Sequence, residues 1–114
     1  MGNITCEVKI APVAARQLAK LPQLVQRKIL VYLESLSEVP LPDGVEMLDN
    51  DPRLWRVCVG DYKIVYWFDE QTSLIVTLIV RHREEAYRDL DKLDPAILAK
   101  NLAPFLRGIT ALAS

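Results

Sequence analysis

The chain has 114 residues and a formal net charge of −1 at pH 7, from 14 lysines and arginines against 15 aspartates and glutamates. With 51% hydrophobic and 25% charged residues, it has the composition of a single soluble globular domain. Its apolar runs are too short to cross a bilayer and no signal peptide is visible, so we expect a cytoplasmic protein without a membrane partner. Two distant cysteines and one histidine favour no metal or redox site, and we expect no cofactor. The net charge alone predicts no nucleic-acid partner.

The charges are nevertheless segregated along the chain. Residues 9–28 contain five basic residues and no acidic one, whereas residues 34–51 contain six acidic residues and no basic one. A net charge near zero therefore does not exclude a locally basic face. The alternative is that these residues are solvated on the outer sides of helices.

The first half of the chain reads as a strand followed by two helices. Alternating apolar and polar residues over 4–10 predict a half-buried strand. Pro12 suits the first turn of a helix, and apolar residues continue at helical spacing to position 21. A second helix is predicted over residues 22–38, with one apolar stripe that faces a core. We expect a helical hairpin with basic residues on its outer side.

The second half reads as a loop and an antiparallel meander. Residues 39–44 are rich in proline and end in Asp-Gly, which is typical of a loop. Strands are predicted over residues 54–59, 62–69 and 73–81. Gly60 and Asp61 form a two-residue connection with glycine first, as a type II′ turn requires. Helical spacing returns from about Arg83.

The two faces of these strands differ in polarity. Strict alternation gives one apolar face that can pack on the helical hairpin: Trp55, Val57, Val59, Ile64, Tyr66, Phe68, Leu74, Val76, Leu78 and Val80. The other, here called the mixed face, carries cations among apolar and small residues: Arg56, Cys58, Lys63, Val65, Trp67, Ser73, Ile75, Thr77, Ile79 and Arg81. A face of this composition suits ligand binding, although an ordinary outer sheet face is the alternative.

Several segments together resemble a known family. They are EVKIAP and AARQL near the N-terminus, LWRV and VGDYKIVY in the predicted hairpin, and HREEAYR after the last strand. On these segments, residues 4–88 resemble the RelE/ParE superfamily of toxins from bacterial type II toxin–antitoxin systems. The resemblance implies an α+β, RelE-like fold, in which an N-terminal strand and a helical hairpin pack on a twisted antiparallel sheet with C-terminal helices. It divides the chain into a toxin domain, residues 1–88, and an extension, residues 89–114.

The resemblance also implies a chemistry and the residues that perform it. RelE-type members are ribosome-dependent mRNA endoribonucleases, in which the ribose 2′-OH attacks the adjacent phosphate without a metal. By position, Arg56 and Lys63 would stabilise the phosphate and the transition state. Arg83 would bind phosphate or donate a proton, and Tyr87 would orient the 2′-OH. Such a toxin inhibits translation and is held inactive by a cognate antitoxin.

Two further residues and one departure bear on the site. Arg81 and His82 are possible additional site residues; histidine is a common general base, but alternation puts His82 on the face opposite Arg81. Cys58 stands where active nucleases of this family carry a second basic residue. The alternatives are a ParE-like, non-enzymatic inhibitor of DNA gyrase, or a catalytically weak interaction module of the same fold. A homodimer and a toxin–antitoxin heterotetramer are both compatible with the sequence.

The extension, residues 89–114, has apolar residues at helical spacing. Asp94 and Pro95 suit an N-cap and a first helical turn, while Pro104 would kink or split the helix. We expect these helices to pack on the toxin domain. The extension could instead cover the mixed face in competition with a substrate, or form a dimer contact.

Overall fold

The structure, a computed structural model, describes residues 5–48 and 51–83. Their elements are β1 (Glu7–Ile10), α1 (Pro12–Ala19), α2 (Gln23–Ser35), β2 (Glu46–Met47), β3 (Leu54–Val59), β4 (Tyr62–Asp69) and β5 (Leu74–His82). The described strands form one sheet in the order β1-β5-β4-β3-β2. The predicted α+β fold is confirmed. The extension and its division from the toxin domain lie outside the described residues.

The sheet is mixed rather than wholly antiparallel. The meander β3–β5 is antiparallel, as predicted, and β2, which was not predicted, pairs antiparallel with β3. β1 pairs in parallel with β5, with Glu7 opposite Leu74 and Ile10 opposite Thr77. A parallel neighbour needs a crossover connection, and the α1–α2 hairpin supplies part of it. Periodicity shows that residues 7–10 form a strand, but it does not choose the partner of that strand.

Both helices use proline at their N-termini, where a missing backbone N–H costs little. Pro12 lies in the first turn of α1, and Pro22 directly precedes α2. The buried residues of the pair lie on one side of each helix: Ala14, Leu18, Ile29 and Leu33. α2 ends at Ser35, three residues before the predicted end, because the next amides return to carbonyls three residues earlier; Glu38 N, for example, donates to Ser35 O at 3.2 Å.

The turns follow their sequences closely. Gly60 has φ +61° while Asp61 does not share a positive φ, in agreement with the predicted type II′ turn. In the β4–β5 turn, the buried Asp69 carboxylate accepts a 2.8 Å hydrogen bond from Thr72 Oγ1. Ser73, which follows, has φ +53°.

A β-bulge in β5 corrects the predicted faces of that strand. Val65 pairs with Ile79 and Tyr66 pairs with Thr77, so Leu78 has no partner on β4. One extra residue reverses the alternation beyond it. The predictions upstream of the bulge were therefore wrong: Ile75 and Thr77 share the face of the helices, while Leu74, Val76 and Leu78 belong to the mixed face.

The corrected sheet is buried on both sides. The cluster beneath α1 and α2 consists of Ala14, Leu18, Ile29, Leu33, Leu36, Val57, Ile64, Tyr66, Phe68, Ile75 and Val80. A second cluster lies on the mixed face and consists of Ala11, Leu48, Leu54, Val65, Trp67, Val76, Leu78 and Ile79. Only part of the mixed face therefore remains for a ligand.

Candidate functional site

Three residues of the mixed face form one row across the sheet. Lys63 on β4 lies opposite Cys58 on β3 and opposite Arg81 on β5. Because directly paired residues of an antiparallel sheet share a face, the pairing brings the cations of Lys63 and Arg81 side by side. Both side chains are half-buried, while Cys58 is exposed.

Arg56 begins the adjacent row, where the cationic part of the face meets the apolar part. Its partner on β4 is the buried Val65, which in turn faces Ile79 on β5. On its other side, Arg56 pairs with Glu46 of β2, and Arg56 Nη2 donates a 3.1 Å hydrogen bond to Glu46 Oε2. The two side chains are 31% and 68% exposed, respectively, so this ion pair is open to solvent.

A cleft of about 240 Å³ lies beside Arg56 and Lys63. It is lined by Tyr32, Asp43, Gly44, Glu46, Arg56, Val57, Cys58 and Lys63. Its walls come from α2, from the loop before β2, and from β3 and β4. β2 has only two residues and ends its pairing at Glu46 opposite Arg56, so the edge of β3 beyond that point borders the cleft.

Among the residues that the structure describes, the formal charges that line the cleft are balanced. Arg56 and Lys63 supply two positive charges, and Asp43 and Glu46 supply two negative ones. Both acids belong to the segment 34–51, which the sequence marks as free of basic residues. The fold thus places part of the acidic segment against the cations of the mixed face.

Tyr32 adds a neutral polar group to the wall of the cleft. Its hydroxyl is buried and has no hydrogen-bond partner among residues 5–48 and 51–83. Burial raises the pKa of Tyr32 above its ordinary value, so this hydroxyl stays protonated at neutral pH and is able to donate a hydrogen bond.

The remaining predicted site residues lie around the end of β5. The ring of His82 packs edge-on against Tyr62, with ring centroids 5.2 Å apart, and this pairing puts His82 on the face opposite Arg81, as alternation predicts. Arg83 is exposed, and its backbone N–H donates to Asp61 O at 2.6 Å. Tyr87 lies outside the described residues.

The sequence interpretation missed Glu46 and Tyr32. Glu46 reaches Arg56 only because the two-residue strand β2 pairs with β3, and Tyr32 joins the cleft through the packing of α2. The segregation of acidic residues was the one local signal, and it does not say which acid meets which cation.

Other site chemistries receive no support from the part of the chain that the structure describes. Within residues 5–48 and 51–83, no group of histidine, cysteine and acidic side chains could hold a metal ion. Over the same residues, no helix is long and apolar enough to span a membrane. Cys6 and Cys58 are free thiols, and burial raises the pKa of Cys6.

Comparison with known proteins identifies the fold. No protein-family model matches the chain, and neither does any curated protein. Among solved structures, the archaeal RelE–RelB complex of Pyrococcus horikoshii OT3 is similar, with a TM-score of 0.64 and 27% identity over 69% of this chain and 96% of that one.

Two further structures extend the comparison. The RelBE2 toxin–antitoxin complex of Mycobacterium tuberculosis has a TM-score of 0.62 and 26% identity, over 70% of this chain and 100% of that one. Free RelE of E. coli has the same TM-score at 14% identity, over 88% of this chain and 97% of that one; at this identity it supports the fold alone.

Proposed function

We propose that this chain, whose structure is similar to those of RelE toxins, is the toxin of a type II toxin–antitoxin pair and acts as an mRNA endoribonuclease on the ribosome. The observation that carries this proposal is the cationic end of the mixed face. Lys63 and Arg81 lie side by side there, with Arg56 in the next row. Lysine and arginine side chains held side by side on one face of a sheet suit contacts with the backbone phosphates of an RNA strand.

The proposed reaction is an in-line transesterification within the RNA strand. The 2′-oxygen gives its proton to a general base and attacks the adjacent phosphorus, while the bond from phosphorus to the 5′-oxygen of the next nucleotide breaks and that oxygen takes up a proton from a general acid. Charge accumulates on the phosphorane, and cations held in place stabilise it more than they stabilise the substrate. Arg56 and Lys63 would supply this stabilisation, with Arg81 beside them.

The proton transfers are assigned to residues at the end of the toxin domain. We propose that Arg83 binds the phosphate or donates the proton to the leaving oxygen, and that Tyr87 orients the 2′-OH. Tyr87 follows Arg83 by four residues, the spacing that places two side chains on the same side of a helix. His82 is an additional candidate for the general base, although it packs against Tyr62 on the face opposite Arg81.

Primer extension on mRNA from expressing cells tests the proposal. We expect cuts at fixed positions within codons, and a loss of about 10²-fold in cleavage for Lys63→Ala, Arg83→Ala and Tyr87→Phe, the effect of removing one transition-state contact. Arg27→Ala is the matched control, since Arg27 is an exposed cation on α2 away from the cleft. Intact mRNA in growth-arrested cells would contradict the nuclease.

Partners follow from the same proposal. The similar structures are complexes of RelE with RelB, so we propose that a cognate antitoxin encoded beside this protein binds and neutralises it in the cytoplasm. Co-expression of the adjacent open reading frame should restore growth, and its protein product should copurify with the toxin. Failure of both would contradict the pairing.

A second function is a ParE-like inhibition of DNA gyrase. It is favoured by Cys58, which occupies the row of Lys63 and Arg81 without supplying a charge. A plasmid-supercoiling assay run beside the primer extension separates the two functions. Trapped gyrase complexes with intact mRNA would support the gyrase inhibitor over the nuclease.

A further inference from the structure

We infer that Glu46 is a counter-ion of the cleft, and that a phosphate group of an RNA strand must displace its carboxylate to bind the guanidinium edge of Arg56 that Glu46 occupies. The inference rests on the proposed function, because it concerns the affinity of the same site for its substrate. It adds a residue that limits this affinity and comes from the acidic segment 34–51 rather than from the cationic strands.

The first argument is the geometry of the ion pair. Glu46 Oε2 accepts a hydrogen bond from Arg56 Nη2 at 3.1 Å, the distance at which a phosphate oxygen would also accept it. One guanidinium edge cannot serve both anions in the same place. Binding of a phosphate at that edge therefore requires the carboxylate to leave.

The second argument is that the carboxylate can leave without disturbing the fold. Its side chain is 68% exposed, and exposed ion pairs are weak. The backbone of β2 is held independently, since Leu48 N donates to Leu54 O at 2.9 Å and Met47 pairs with Trp55. A change in the position of the Glu46 side chain therefore breaks no strand pairing.

The third argument is the charge balance of the cleft. Among the described residues that line the cleft, Asp43 and Glu46 match the two cations in formal charge, and they therefore weaken the attraction of this part of the site for a polyanion. Removal of one acid adds one unit of positive charge there and should strengthen binding. This predicts the opposite sign from a role in which Glu46 holds Arg56 in a productive position for substrate.

Binding of a labelled 2′-O-methyl oligoribonucleotide, which cannot be cleaved, tests the sign. With the full chain at low salt, we expect Glu46→Gln to tighten binding about three- to fivefold, the range open to one exposed ion pair. Glu34→Gln removes the same charge from an exposed site on α2 outside the cleft, and it should leave the affinity unchanged. Weaker binding in Glu46→Gln, or equal gains in both variants, would overturn the inference.

A double-mutant cycle locates the effect. In an Arg56→Gln background, Glu46→Gln should give no gain, because the displaced contact no longer exists. A gain of the same size in both backgrounds would mean a general charge effect and would overturn the inference.

Titration of the protein with inorganic pyrophosphate, followed by the amide NMR signals of β3, tests the inference independently of the cleavage assay. Tighter pyrophosphate binding in Glu46→Gln without any mRNA cleavage supports the inference and contradicts the nuclease. Codon-positioned cleavage without any effect of Glu46→Gln on pyrophosphate or RNA binding supports the nuclease and contradicts the inference.

Discussion

The face of the sheet beneath α1 and α2 is mostly apolar along its length, whereas the mixed face is apolar at one end and cationic at the other. On the mixed face, Trp67 and Val76 are buried in the second cluster, while Lys63 and Arg81 lie half-buried further along the same strands. One face is therefore core along most of its length, and the other is part core and part cationic surface. The boundary falls at the row of Arg56, whose neighbour Val65 is fully buried.

The division explains why the total charge misleads. Cations that would serve a nucleic-acid site are confined to one end of one face, and acids from the segment 34–51 lie against them. The formal charge of −1 averages over both. Local charge on a face, rather than the sum over the chain, determines what binds there.

The largest expected effect tests whether the second cluster is a true core. Trp67 is 5% exposed on the mixed face, and Trp67→Ala should lower the free energy of unfolding by about 3–5 kcal/mol, as for other buried aromatic residues. Urea denaturation at constant m-value measures it. Leu24→Ala, at a side chain that is 79% exposed, should change stability by less than about 0.5 kcal/mol. A similarly small effect at Trp67 would mean that the two faces differ far more than the structure indicates.

A smaller effect is expected at the polar contact that joins the face of the sheet beneath α1 and α2 to the loop before β2. The hydroxyl of the buried Tyr66 donates to Pro40 O at 2.6 Å. Tyr66→Phe leaves that carbonyl without its partner and should cost about 1–3 kcal/mol. Tyr32→Phe removes a buried hydroxyl that has no partner in the described part of the chain, so thermal unfolding should show no loss. Equal losses in the two variants would contradict this assignment.

The same contact predicts an alkaline limit to stability. Burial, reinforced by Tyr32, raises the pKa of Tyr66 well above the ordinary value of 10. The folded state therefore keeps the proton when the unfolded state loses it, so the contribution of Tyr66 is complete below pH 10 and declines as pH rises above it. Unfolding free energies measured from pH 8 to 11 should fall less steeply in Tyr66→Phe than in the wild type, and parallel curves would refute the assignment.

Sequence patterns predict the elements of this fold better than they predict its contacts. Proline positions and apolar spacing indicate α1 and α2, and alternation with Gly60 indicates the β3–β4 hairpin, because these signals are local. The bulge at Leu78 leaves no mark in the alternation of apolar residues, since both faces of β5 are buried. One unmarked residue was enough to assign half of that strand to the wrong face.

The candidate site shows the same limit. Arg56 and Lys63 could be placed on one face from alternation, because no irregularity separates them in the β3–β4 hairpin. The ion pair of Arg56 with Glu46 depends on a two-residue strand whose pairing is set by tertiary contacts. Tyr87 was assigned by resemblance alone, and it stays a prediction.

The smallest expected effect tests the corrected face of β5 directly. Thr77 lies opposite Tyr66 on the face of the sheet beneath α1 and α2. Its buried hydroxyl has no hydrogen-bond partner in the described part of the chain. Thr77→Val replaces that hydroxyl with a methyl group and should raise the free energy of unfolding by about 1 kcal/mol, because an unpaired buried polar group is costly. Thr72→Val is the matched control, since Thr72 Oγ1 donates to the buried Asp69 carboxylate at 2.8 Å, and this variant should be destabilised instead. If urea denaturation shows that both variants lose stability, the Thr77 hydroxyl is hydrogen-bonded. The face beneath α1 and α2 would then contain a satisfied polar group at this position.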